Sequence, residues 1–279
     1  MLKNDNLNEY DLESVLGWYV ENGIDSAWLD APQNRLLPIA KPAVTLDTSR
    51  PEIKEIIKPS IQTADPVIAG QPMKDAMIAA KSIQDLSGLK QALFDFPHLT
   101  IKNTATQIVC GEGRVPSDLM VIGDAPNSDD DRSGIVFSGE LGELLNKMMG
   151  AIGRTRAGDT AETSFYVTNV LKWRPPGNRS PTPFELDLAL PFLKAEIDIV
   201  QPKAIFVLGA VATKLLLGST ETITKLRGKF REYETEQGRK ISVMPSFHPS
   251  YLLKSPTQKK QSWEDLQALR DVLATPLSS

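Results

Sequence analysis

DLMVIGDAPNSDDDRSGIVFSG, residues 118–139, is the stretch from which the fold follows. Its first part, LMVI at 119–122, is a short apolar run of the kind that forms a buried strand. The run stops at Gly123 and opens into a polar loop holding Asp124, Pro126, Asn127 and three consecutive aspartates, Asp129 to Asp131. A helical pattern follows from Glu140 to Met149. Strand, loop and helix are the first half of a βαβ unit. In open α/β sheets the ligand crevice lies beyond the carboxyl ends of the strands. A site is therefore expected where Asp124 begins the loop.

Downstream the pattern repeats. Strands are predicted over 119–122, 164–170, 204–208 and 241–245, and helices over 140–151, 183–200, 210–217 and 262–274. Such alternation predicts an α/β fold: a three-layer α/β/α sandwich around a central, mainly parallel four-stranded sheet. Each predicted strand ends in a distinctive group. The first gives Gly123-Asp124, the second Asn169 followed by Lys172–Arg179, the third Gly209, the fourth His248-Pro249-Ser250. Parallel strands would bring these to one mouth.

Upstream, residues 9–22 carry Leu12, Val15, Leu16 and Tyr19 at helical spacing, so 1–30 is read as an N-terminal amphipathic helix segment. Residues 31–72 hold seven prolines and read as a flexible Pro-rich linker. Residues 73–279 form the expected catalytic domain, entered through helices over 73–83 and 86–94, the second with Asp85 as N-cap. The N-terminal helix is a candidate docking element for the body or for a partner protein. The start MLKNDNLNEY has no signal pattern and no apolar run is long enough to span a bilayer, which leads to the expectation of a cytoplasmic protein without membrane contact.

One cysteine, Cys110, and two histidines, His98 and His248, leave no internal disulfide and no all-Cys or His-rich metal centre. Net charge is −4, but residues 225–260 carry 9 basic and 3 acidic residues, a local balance that suits phosphate.

Several residues have two readings each. Asp124 caps a loop or helix, or holds a water. Asp129 to Asp131 form a solvated turn, or bind Mg²⁺ for a nucleotide hydrolase. Asn169 caps a turn, or gives a donor and an acceptor together to a base edge. His248, confined between Phe247 and Pro249, is structural, or donates to a developing anion. Phe137 is core, or stacks on a flat ligand.

At this point GDAPNSDDDRSGIVFSG (123–139), YVTNVLKWRPPGNRSPTP (166–183) and SFHPSYLL (246–253) resemble the three motif regions of the uracil-DNA glycosylase superfamily. The likeness is to family four, with patterns GEAPGxxED, TNxxKCRPPGNRxPTP and HPSYLL; LRG at 226–228 and Trp263–Leu266 also fit. It covers about 85–275. The resemblance implies a DNA repair hydrolase that flips uracil out of single- or double-stranded DNA, cuts its glycosidic bond and leaves an abasic site. Gly123, Phe137 and Asn169 would bind the base, and Asp124 and His248 would be catalytic. Arg174, Arg179, Ser250, Leu252 and Lys254 would contact DNA, with Leu252 either a wedge in the gap left by the base or a core leucine. A monomer without metal or cofactor is expected.

Three departures stand out. Family-four enzymes hold a four-cysteine iron–sulfur cluster, whereas Trp173 and Ala189 stand at two aligned cysteine positions and 94–100 has no cysteine pair. Asp124 replaces the usual Glu, and Asn127 the usual Gly. The alternatives are a catalytically weakened DNA-binding homologue that keeps the pocket, or a glycosylase for another deaminated base.

Overall fold

The structure is a computed structural model and describes residues 70–274. The expected N-terminal helix and all but the end of the expected linker lie outside the described residues. Helices α1 (Gln71–Lys81) and α2 (Leu86–Asp95) come first. Asp85 caps α2 by accepting from the Gly88 N–H at 2.7 Å.

Five strands follow: β1 (Leu119–Gly123), β2 (Tyr166–Asn169), β3 (Ala204–Leu208), β4 (Arg231–Glu234) and β5 (Lys240–Ser246). Their order is β2-β1-β3-β5-β4; the first four run parallel and β4 is antiparallel. The four expected strands are present, and β4 adds a fifth at the edge. Its REYE sequence carries no apolar alternation, because an edge strand buries little on either face.

Helices α3 (Ser128–Ser133) and α4 (Gly139–Gly150) follow β1, and α5 (Pro183–Val200) follows β2. Helices α6 (Ala210–Leu217) and α7 (Ile223–Leu226) follow β3; α8 (Pro249–Lys254) and α9 (Lys259–Ala274) follow β5. Alternate strand residues face opposite ways. Met120, Ile122, Ile205 and Val207 meet α1, α2, α5 and α6 on one face; Leu119, Val121, Phe206 and Leu208 meet α4, α8 and α9 on the other. The central strands are buried on both faces, which is why they read as unbroken apolar runs. Each fully buried Leu, Ile or Phe contributes roughly 1.5–3 kcal/mol. No described helix is long and apolar enough to cross a membrane.

The sheet edges are closed differently. Beside β2, Val167 exchanges both backbone hydrogen bonds with Glu112, at 2.8 and 2.9 Å. The outer edge, β4, is short and mostly charged.

The aspartate run is not a solvated turn. Asn127 caps α3 by accepting from the N–H groups of Asp129 and Asp130, at 2.7 and 3.0 Å, and Asp130 reaches back to the Asn127 N–H. This is a capping box, and it gives the Asn at this position a structural purpose. Asp130 and Asp131 are buried, and their carboxylates diverge. Asp130 accepts from the Ser138 N–H and hydroxyl, Asp131 from the Thr106 N–H and hydroxyl. Backbone and hydroxyl donors thus take two of the three carboxylates that the sequence offered to Mg²⁺.

Candidate active site

The register of β1 and β2 sets Gly123 directly beside Asn169. A methyl group on Gly123 would lie 2.4 Å from Asn169 Oδ1 and 2.5 Å from Phe137 Cζ. Only glycine therefore lets the amide and the aromatic ring close on the same spot. The Phe137 ring continues to His248, with centroids 5.3 Å apart and planes inclined by 32°. Gly123, Phe137, Asn169 and His248, spread over 126 positions of sequence, thus form one contiguous group.

Asn169 is 1% exposed, and both atoms of its amide are buried without a hydrogen-bond partner. Leaving such a group unsatisfied costs about 1–3 kcal/mol. The strand end beneath it is held firmly. Lys172 donates to the Asn169 carbonyl at 2.7 Å and to Glu196 at 2.6 Å, and the Tyr166 hydroxyl donates to the same Glu196 at 2.9 Å. Lys172 and Glu196 are an almost fully buried ion pair. Such a pair fixes geometry more than it adds stability.

Phe137 has φ 51°, in the left-handed region that a non-glycine residue adopts under strain. Arg156 clamps this turn: it donates to the Val136 carbonyl at 2.7 Å and the Phe137 carbonyl at 2.9 Å, and pairs with Glu112. Arg156 could not be singled out from the sequence, because its partners come from three separate segments.

Asp124 and His248 line an open cavity of about 550 Å³ at the carboxyl ends of the strands. Asp124 Oδ1 accepts from the Ala212 N–H at 2.7 Å, so the carboxylate caps the start of α6. It does this across the site, not on the helix that follows it in sequence. Burial nevertheless pushes its pKa up to about 6, against the pull of the Ala212 and Val211 N–H groups. His248 is the N-cap of α8. Its Nδ1 lies 3.2 Å from the Ser250 N–H, which can only donate. Nδ1 is therefore the acceptor, and the ring proton sits on Nε2. Desolvation pulls the pKa of His248 down to about 4, so the imidazole is neutral at physiological pH.

Two motif fragments turn out to be partners. Asp265 accepts from the Ser246 hydroxyl at 2.6 Å and from Arg227, whose guanidinium lies 5.6 Å from the Phe247 ring. Together they fix the exit of β5 into His248.

The expected DNA contacts divide. Ser250 and Arg179 line the cavity, although Arg179 is matched by Glu185 at 2.6 Å. Lys254 is exposed on α8. Arg174 donates to Asn178 at 2.7 Å and lies 3.9 Å from Asp131, so it links its own loop to α3. Of the two readings of Leu252, the structure fits the core leucine. It is 1% exposed and belongs to the core cluster of Phe137 and Phe247, because α8 turns that face inward. The side chain that α8 exposes at the cavity lip is Tyr251.

Similarity to known proteins points to a family. The family model "Uracil DNA glycosylase superfamily" matches residues 110–271. A type-4 uracil-DNA glycosylase of Sulfurisphaera tokodaii is 32% identical over 199 residues, covering 70% of this chain and 87% of that protein. One from Thermotoga maritima is 38% identical over 151 residues, covering 54% of this chain and 73% of that protein. A third, from Archaeoglobus fulgidus, is 29% identical over 195 residues, covering 68% and 94% respectively. The chain spanning Gly123, Asn169 and His248 belongs to the uracil DNA glycosylase superfamily.

Proposed function

We propose that this protein hydrolyses the N-glycosidic bond of uracil in DNA, leaves an abasic site for base-excision repair, and does so without an iron–sulfur cluster. The observation that carries this reading is the buried, partnerless amide of Asn169. Uracil offers an acceptor at O4 and a donor at N3, and one side-chain amide satisfies both. Cytosine presents the reverse at both positions and would leave the amide mispaired and desolvated, a strong basis for rejection.

Phe137 stacks on the flipped base. Bond cleavage leaves oxocarbenium character on the sugar and negative charge on the uracil. His248 Nε2–H donates to O2 and stabilises that anion; a preorganised donor of this kind is worth roughly 3 to 4 kcal/mol. Neutrality suits the role, since the imidazole keeps its single donor aimed at the pocket while Nδ1 stays engaged with Ser250. Asp124, when ionised, positions the water that adds to C1′ or offsets the cationic sugar. Ser250, Arg179 and Lys254 contact the DNA backbone, which makes binding salt-dependent.

The residues do not suit the family-four cluster. Four thiolates are required, and the chain has one cysteine. Trp173 and Ala189 are 4% and 3% exposed and pack in a common apolar core with Phe96, Leu99 and Phe192. Large apolar side chains occupy the region, and no catalytic step is routed through a cluster.

A second reading, a homologue that binds DNA with weakened catalysis, has one observation in its favour: Asp124 spends one oxygen on Ala212. One experiment separates the two. The full chain is incubated in EDTA with an oligonucleotide containing one uracil, then treated with alkali to break abasic sites. Cleavage at the uracil supports the glycosylase; retained binding without cleavage would establish the weakened homologue.

A further inference from the structure

We propose that Tyr251, not Leu252, is the side chain that enters the duplex where the target nucleotide leaves the stack; the inference rests on the uracil-excision reading above. Leu252 cannot serve without vacating the core it shares with Phe137 and Phe247. Tyr251 is 42% exposed at the lip of the cavity. Its N–H donates to the His248 carbonyl at 2.9 Å, one turn back along α8. The backbone that carries the ring is thus tied to that of His248, and residues at this spacing lie on the same side of a helix.

The ring is also braced. Phe247 lies behind it with centroids 5.0 Å apart, and the Arg227 guanidinium lies over the Phe247 ring in turn. Arg227 is itself fixed by Asp265. This stack carries the rigidity of the β5 exit out to the surface. Exposed Lys254 follows three residues later on α8, and Arg179 stands on the cavity wall. A rigid aromatic with a cation on its own helix and another on the cavity wall suits a stacked base and its neighbouring phosphates. An apolar side chain in that gap holds the departed nucleotide out of the helix.

The requirement falls on paired DNA, because a single strand has no partner base across the gap. The test measures kcat/KM for uracil release from single- and double-stranded oligonucleotides by wild type, Y251A, Y251F and L252A. Y251A is expected to lower the double-to-single-strand ratio about tenfold, within the range of one base–aromatic stack. Y251F restores the ratio, and L252A lowers thermal stability with the ratio kept. An unchanged ratio in Y251A, or a fall in L252A alone, would overturn the assignment. A second readout does not depend on chemistry. 2-Aminopurine beside the uracil in a duplex should brighten on binding wild type and stay dim with Y251A. Brightening by both proteins would refute the wedge even if uracil were released. Absence of uracil release by wild type, with brightening that needs Tyr251, would instead sink the glycosylase reading and keep the wedge.

Discussion

Replacing Asp124 with Asn should make this protein more stable at neutral pH while removing its activity. In the folded state burial raises the Asp124 pKa from 3.8 to about 6. The sign follows directly. Between these values the native state binds more protons than the unfolded chain, so wild-type stability falls as pH rises through that window. Above it the protein carries the full cost of an ionised, poorly solvated carboxylate. Each pKa unit is worth 1.36 kcal/mol, so a shift of about two units sets an upper limit of ~3 kcal/mol. The carboxylate is only half-buried and faces an open cavity, so a gain of about 1–2 kcal/mol is the expected size. Asn keeps the shape and can still accept from the Ala212 N–H, but carries no charge. For a domain of this size that gain raises Tm by roughly 2–8 °C. Urea denaturation at pH 7.5 and pH 4 checks it: D124N should exceed wild type at the higher pH and match it at the lower. Equal stability at pH 7.5, or an advantage that persists undiminished at pH 4, would refute the reasoning. Wild-type uracil release should rise with pH through about 6 as Asp124 ionises, so activity and stability move in opposite directions over the same interval.

Gly123→Ala should cost about 1–3 kcal/mol from overpacking and abolish uracil release, because the methyl group collides with both Phe137 and Asn169; full activity would remove the argument for a shared site. Lys172→Met leaves Glu196 charged and unpaired, so a loss of about 3–5 kcal/mol is expected by calorimetry; pairing it with Glu196→Leu should recover most of that. His248→Ala should lower turnover roughly a hundredfold, and the wild-type rate should show no titration of His248 above pH 5, since its pKa is near 4. An acid limb near pH 6.5 that His248→Ala removes would contradict the neutral-donor assignment.

The sheet was legible in the sequence because its central strands are buried on both faces and read as plain apolar runs. The start of α5 was legible for a different reason: Thr182-Pro183 with Glu185 announces the helix and forms the capping box. What escaped notice depends on partners remote in the chain. β4 is an edge strand with a charged sequence, and α3 begins in three adjacent aspartates that suggest repulsion. Donors brought in from elsewhere, chiefly Ser138 and Thr106, let two of those carboxylates bury. The candidate residues at the strand ends could be picked out one by one, yet their convergence rests on the register of Gly123 with Asn169, which no local pattern encodes. Leu252 and Tyr251 show the limit most simply: adjacent residues exchange roles according to how a six-residue helix is rolled.

The two rims of the sheet bear on how such a molecule behaves when crowded along its substrate. A protein that gathers on a polymer reaches high local concentrations, where bare strand borders invite copies to zip together. Within residues 70–274 one border is bridged by Glu112 at Val167 and the other presents a brief, mostly charged run. Both features blunt the template that neighbouring copies would meet at these ends of the sheet, so molecules can sit side by side without fusing.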